Sequence, residues 1–92
     1  MSQIARHLRI HGRVQGVFFR ASSRDRARRV GASGWVRNCP DGTVELWVEG
    51  DPDAVNEVEE WVCDGGPKAA RVEQVEATDR EPEDFDTFDV RS

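Results

Sequence analysis

Apolar and polar residues alternate along parts of this chain and recur at helical spacing along others. Leu8 and Ile10 alternate with His7, Arg9 and His11, which predicts a strand over residues 5–11. Strands are also predicted over 33–39 and 43–49, on either side of Pro40-Asp41-Gly42, a strong hairpin signal. In the second of these, Val44, Leu46 and Val48 share one side while Glu45, Trp47 and Glu49 share the other, the pattern of a sheet with one covered face. A helix rich in Arg and Ala is predicted over 19–30, with Gly31 as its stop; its buried stripe of Phe19, Ala27 and Val30 is weak. A second helix shows a clearer stripe of Ala54, Val55, Val58, Trp61 and Val62, with Asn56, Glu57, Glu59 and Glu60 facing outward. Asp51 is placed to cap it, Pro52 suits its first position and Gly65 can close it. A fourth strand follows over 70–77, where Val72 and Val75 break the alternation and predict a bulge, and a short last strand covers 88–91.

The order β-α-β-β-α-β plus a terminal strand predicts an α+β fold: a ferredoxin-like sandwich with two helices on one face of an antiparallel sheet and a short C-terminal fifth strand. Residues 1–92 are then one domain. In that topology the end of the first strand, the start of the first helix and the end of the second strand meet at one edge, which puts residues 12–20 beside Asn38. On the opposite, open face His7 and His11 take surface roles. Trp35 and Trp47 are expected there as a cross-strand contact, with a binding surface as the alternative, and Trp61 is expected in the core.

Composition narrows the picture. Leu, Ile, Val and Phe together are only 20 of 92 residues, so the core is thin and built from valine. The net charge of −5 argues against non-specific binding to nucleic acid or to an anionic membrane. No apolar run approaches the ~18 residues of a spanning helix, and the N-terminus lacks the apolar stretch of an export signal, so a cytoplasmic protein is expected. Lys68 is the only lysine beside twelve arginines, and Asp and Glu number nine each, a balance that resembles proteins of salt-loving organisms. Cys39 and Cys63 lie in no CxxC pair and are expected as two unlinked thiols, with no zinc site.

The charge is unevenly spread. Residues 1–37 carry nine arginines and one acid, Asp25, giving +8, while residues 38–92 carry −13. Such a basic segment in an acidic chain suggests a local anion site; the alternative is that folding interleaves the halves and neutralises both. The segment Gly12-Arg13-Val14-Gln15-Gly16-Val17-Phe18-Phe19-Arg20 joins strand to helix start. Its two glycines let successive N–H groups turn inward, the helix start adds unpaired donors, and the planar fork of Arg20 matches two phosphate oxygens. Positive charge at a helix N-terminus opposes the helix dipole unless an anion or a nearby carboxylate relieves it. A purely structural loop with an exposed arginine would have the same composition.

Residues 12–20, with Gly34-Trp35-Val36-Arg37-Asn38 and Asp41-Gly42-Thr43-Val44-Glu45, resemble the two signature segments of the acylphosphatases. The similarity extends through Gly50-Asp51, Gly65-Gly66-Pro67, Ala70-Arg71-Val72 and Phe88-Asp89-Val90-Arg91. It implies hydrolysis of the mixed anhydride of a carboxylic acid and phosphate, without a metal or other cofactor. It also implies roles for individual residues: Arg20 as the phosphate-binding arginine, Asn38 as the residue that orients the attacking water, and Arg13, Val14, Gln15, Gly16, Val17, Phe18 and Phe19 as donors of backbone N–H groups to the phosphoryl oxygens. The partner implied is a small-molecule acyl phosphate, with no nucleic acid and no membrane, for a monomeric protein. Departures from the family pattern are modest. Val30 and Ala32 are smaller than usual, Ser23 is expected to bond to the helix backbone, and Ser92 ends the chain where some relatives pair the terminal carboxylate with the phosphate-binding arginine.

Two rival classes share the fold. RNA-recognition domains stack bases on aromatics of both central strands, yet the first strand here has none, and Glu45 and Glu49 flank Trp47. A regulatory or maturation domain would keep the loop without free-standing activity.

Overall fold

Every predicted element forms. The structure, a computed structural model, describes residues 2–91. In chain order the elements are β1 (Ile4–Arg13), α1 (Phe19–Val30), β2 (Ser33–Asn38), β3 (Val44–Gly50), α2 (Pro52–Cys63), β4 (Arg71–Arg80) and β5 (Phe88–Arg91). The strands make one sheet in the order β4-β1-β3-β2-β5. α1 packs over β2 and β5, and α2 over β1, β3 and β4. Leu8, Ile10, Val36, Leu46, Val55 and Val58 are fully buried between the layers, the valine-rich core that the composition predicted.

Two corrections concern the sheet. It is mixed, because β5 runs parallel to β2 with Phe88 opposite Gly34. β4 ends where β1 begins, Arg80 lying opposite Ala5. The chain must then cross to the far edge, four strand spacings or ~19 Å away. It does so at the end where β2 starts, so β5 can only run alongside β2 in the same direction. The second correction is that the face opposite the helices is partly covered, over β3. All seven residues of β3 are buried: Val44, Leu46 and Val48 lie in the core, while on the other side the crossing segment 81–87 reaches Trp47 and Glu49. Glu49 accepts hydrogen bonds from the backbone N–H groups of Glu83 and Phe85 at 2.9 and 3.1 Å, and from Trp47 Nε1 at 2.8 Å. Phe85 meets Trp47 edge-on, and Trp47 stacks on Trp35 across the strands with ring centroids 6.5 Å apart. With Trp47 buried beneath the crossing segment, the tryptophan pair is a contact across the strands.

Smaller features follow local chemistry. The bulge in β4 opposes the step from His11 to Gly12, where a Cβ on Gly12 would collide with the Arg71 carbonyl. Gly31, at φ 80°, ends α1 and lets its amide reach back to the helix. Asp51 occupies the N-cap of α2 but its side chain makes no capping bond. Trp61 is only partly buried; it packs on Phe19 and lies under the guanidinium of Arg26. Ser23 Oγ is buried in α1 with no partner among the described residues, so the expected bond to the helix backbone is not made. Both cysteines are free thiols, Cys39 buried and Cys63 exposed. Among the described residues no helix is long and apolar enough to cross a membrane.

Candidate active site

Val14 and Phe19 anchor the two ends of the loop between β1 and α1, each about 1% exposed in the core. Between these anchors the backbone turns sharply, with Gly16 at φ 72° and Phe18 at φ 62°. Residues in this left-handed region curl a chain so that its N–H groups converge. Phe18 is the N-cap of α1, where its carbonyl accepts the Ser22 N–H at 2.9 Å. Its side chain caps nothing, and the first turn holds no acid. Among the described residues no protein acceptor takes the N–H groups of residues 15–20. The helix start therefore presents unpaired donors with the positive end of the helix dipole behind them.

Gln15 fastens this loop to the neighbouring hairpin. Its Nε2 donates to the carbonyls of Cys39 at 2.8 Å and Thr43 at 2.9 Å. Those carbonyls flank the turn at 40–42, where Asp41 Oδ1 accepts the Thr43 N–H at 3.0 Å and also its hydroxyl. Hydrogen bonds from Thr43 hold the Asp41 carboxyl below its ordinary pKa. Asn38, the last residue of β2, is thereby placed beside the loop.

A cleft of about 400 Å³ opens at this edge. Arg20, Asn38, Gly16, Phe18 and Phe19 line it, with Val14, Ala21, Arg24 and Val90. Among the described residues its charged side chains are two arginines, and no acid, histidine or cysteine lines it. Asn38 Oδ1 is buried and has no hydrogen-bond partner among the described residues, which is costly for a polar atom unless local movement lets something bind it. Among the described residues no carboxylate pairs with Arg20. The relief of the helix dipole by a nearby acid, one alternative left by the sequence, is thus not found there. A pairing of Arg20 with the carboxylate of Ser92 lies outside the described residues.

Behind the cleft, on the other face of the sheet, Glu45 holds the end of β2. Arg37 donates to its Oε1 from Nε at 2.8 Å, Cys39 Sγ donates to the same oxygen at 3.2 Å, and His7 Nε2 lies 2.7 Å from Oε2. Burial alone would raise the Glu45 pKa, but these hydrogen bonds and the Arg37 charge outweigh it and bring it down to about 2. His11 pairs in a similar way with Glu76, at 2.6 Å. Both histidines thus serve carboxylates, as expected of surface roles.

An arginine and a bare helix start in one cleft suit an oxyanion, and the amide oxygen of Asn38 is an acceptor suited to water. The family model described as Acylphosphatase matches residues 6–90. The chain belongs to the acylphosphatase family. A protein named Acylphosphatase from Thermococcus kodakarensis is 51% identical over 90 residues, covering 98% of both chains. Another of that name, from Acidovorax sp. strain JS42, is 49% identical over 98% of this chain and 92% of its own. The solved structure of an acylphosphatase from Coxiella burnetii matches with a TM-score of 0.91 at 38% identity, covering 97% of this chain and 93% of that one. The enzyme is a hydrolase with the ferredoxin-like fold of that family, and family membership implies a small-molecule substrate.

Within this acylphosphatase the residues singled out from sequence divide into three groups. Arg20, Asn38, Val14, Gly16, Phe18 and Phe19 converge on the cleft. Gln15 and Val17 lie beside it, the first as the strap to the hairpin and the second packed against the core. Arg13 ends β1 opposite Arg71, and its side chain lines a separate groove with Asp41 and Glu73. Arg24 and Val90 were not singled out, yet both line the cleft. Arg24 was discoverable, since it lies one helical turn from Arg20. Val90 had no local signal, because only the parallel course of β5 brings it here.

Proposed function

We propose that this cleft binds the phosphoryl group of an acyl phosphate and hydrolyses the carboxyl–phosphate bond to carboxylate and inorganic phosphate. Arg20 and the N–H groups of the 13–19 loop hold the phosphoryl oxygens, and Asn38 orients the attacking water. Asn38 carries this reading: it lines the same cleft as Arg20, and its buried Oδ1 is an acceptor without a partner among the described residues. An amide oxygen can accept a proton of water in a hydrogen bond and so aim its lone pair at phosphorus, but it is too weak a base to remove that proton.

The chemistry suits so few groups. A water oxygen bonds to phosphorus as the bond from phosphorus to the acyl oxygen breaks, and the electron pair leaves with the carboxylate. That leaving group is stable at neutral pH and requires no proton. The proton of water passes to a phosphoryl oxygen of the substrate itself. The protein then has only to position the reactants and to balance charge on the phosphoryl oxygens. Among the described residues no group of three or more His, Cys, Asp or Glu side chains gathers as a metal-ligand set.

As one domain acting as a monomer inside the cell, the protein would need no macromolecular partner for this reaction. Phosphate release from benzoyl phosphate by the purified protein tests the reading. Turnover that inorganic phosphate inhibits competitively supports it, and no release above the spontaneous rate overturns it.

A further inference from the structure

Phe18 combines two features that are unfavourable within the protein itself. It sits at φ 62° and ψ 19°, a left-handed conformation that suits glycine or asparagine and strains a bulky side chain. The side chain is also 81% exposed, so it contributes little to the core. Among the described residues the exposed large hydrophobics are Phe18 and Val90, the latter 38% exposed. Both line the cleft that holds Arg20 and Asn38. They come from opposite parts of the chain. Phe18 projects from the helix start, and Val90 lies on β5 opposite Val36, two residues before Asn38 on β2.

We infer that Phe18 and Val90 form the binding surface for the acyl group and select an apolar one, aromatic or branched aliphatic, over a small or charged one. This inference rests on the proposed acyl-phosphate hydrolysis and concerns the half of the substrate that the arginine and loop amides leave unaddressed. With the phosphoryl group held at the loop, the acyl group must extend from the same cleft. Apolar walls there gain by covering apolar substrate and give a carboxylate or amide no partner. Arg24, the other cation of the cleft, already pairs with Asp25 at 3.2 Å.

The test compares kcat/KM for benzoyl, acetyl and succinyl phosphate in the unaltered enzyme and in three variants. Phe18→Asn keeps a residue that tolerates the left-handed backbone, Val90→Thr keeps the β-branched shape of a strand residue, and Phe18→Leu keeps an apolar surface. Differences in leaving-group stability are the same for every variant, so a change in the benzoyl-to-acetyl ratio reports the acyl surface alone. Benzoyl phosphate should be the preferred substrate. Phe18→Asn and Val90→Thr should each lower the benzoyl-to-acetyl ratio roughly three- to tenfold, while Phe18→Leu largely preserves it. Succinyl phosphate preferred over benzoyl phosphate would assign the cleft to charged acyl groups through Arg24 and overturn the inference. So would a ratio unchanged in both polar variants while they still turn over. Lack of turnover of all three substrates by the unaltered enzyme would instead defeat the proposed hydrolysis itself.

Discussion

Gln15 donates its side-chain amide to the carbonyl of Cys39 at 2.8 Å, which ties the loop of unpaired N–H groups to the residue next to Asn38. The same nitrogen also reaches the Thr43 carbonyl. Gln15→Glu keeps the size and loses both donated bonds, and it sets a carboxylate against two carbonyl oxygens. At roughly 0.5–1.5 kcal/mol for each bond lost, the variant should lose about 2 kcal/mol of stability in urea unfolding. Its inhibition by inorganic phosphate should weaken as well, because the loop is no longer held beside Asn38. Unchanged phosphate affinity would mean that the loop keeps its shape without the strap.

Arg20→Lys tests the fork. Lysine preserves the charge but offers a point donor where the guanidinium offers two parallel ones. Activity on benzoyl phosphate should fall on the order of a thousandfold, by analogy with arginine contacts in phosphoryl transfer. Near-normal turnover would remove Arg20 from the proposed role.

Asn38→Ala separates chemistry from stability. The substitution deletes a buried acceptor that has no partner, so thermal unfolding should be unchanged or shift upward, the relief amounting to about 1 kcal/mol. Turnover should nevertheless fall much further than phosphate affinity. A variant that loses stability in step with activity would make Asn38 a support for the turn at 40–42.

Acid should act through Glu45. Its carboxylate has a pKa of about 2 in the folded protein, against ~4.3 for an unperturbed glutamate. Because the folded value is the lower one, the stabilisation is fully present above pH ~4.3. It is lost progressively as pH falls from there towards 2, in all on the order of 3 kcal/mol. Glu45→Gln should lower stability at neutral pH and flatten the fall over that window, as read from urea midpoints at a series of pH values. An equally steep fall in the variant would assign acid sensitivity to other carboxylates.

How much of the site was legible depended on the distance over which its cause acts. Arg20 lies in a continuous segment whose glycines, helix start and arginine are neighbours in sequence, so its place at the helix start could be read from residues 12–20 alone. Asn38 needed the topology as well, since only the crossovers bring the end of β2 to that edge. Glu49 was misread as facing outward for a different reason. The alternation in β3 reports which residues share a side, and says nothing of a segment 34 residues later that covers the second side.

The sequence by itself determined the seven elements and their order, because periodicity and turns are written in residues that touch along the chain. Tertiary structure alone decided the parallel course of β5, the burial of Trp47 beneath 81–87, the Gln15 strap and the exposed pair of Phe18 and Val90. Each of these depends on where distant segments cross, and the hydrophobic pattern carries only the demand that apolar faces be covered. The alternation with which the chain was first read therefore predicts two sides for each strand, and packing decides what each side meets.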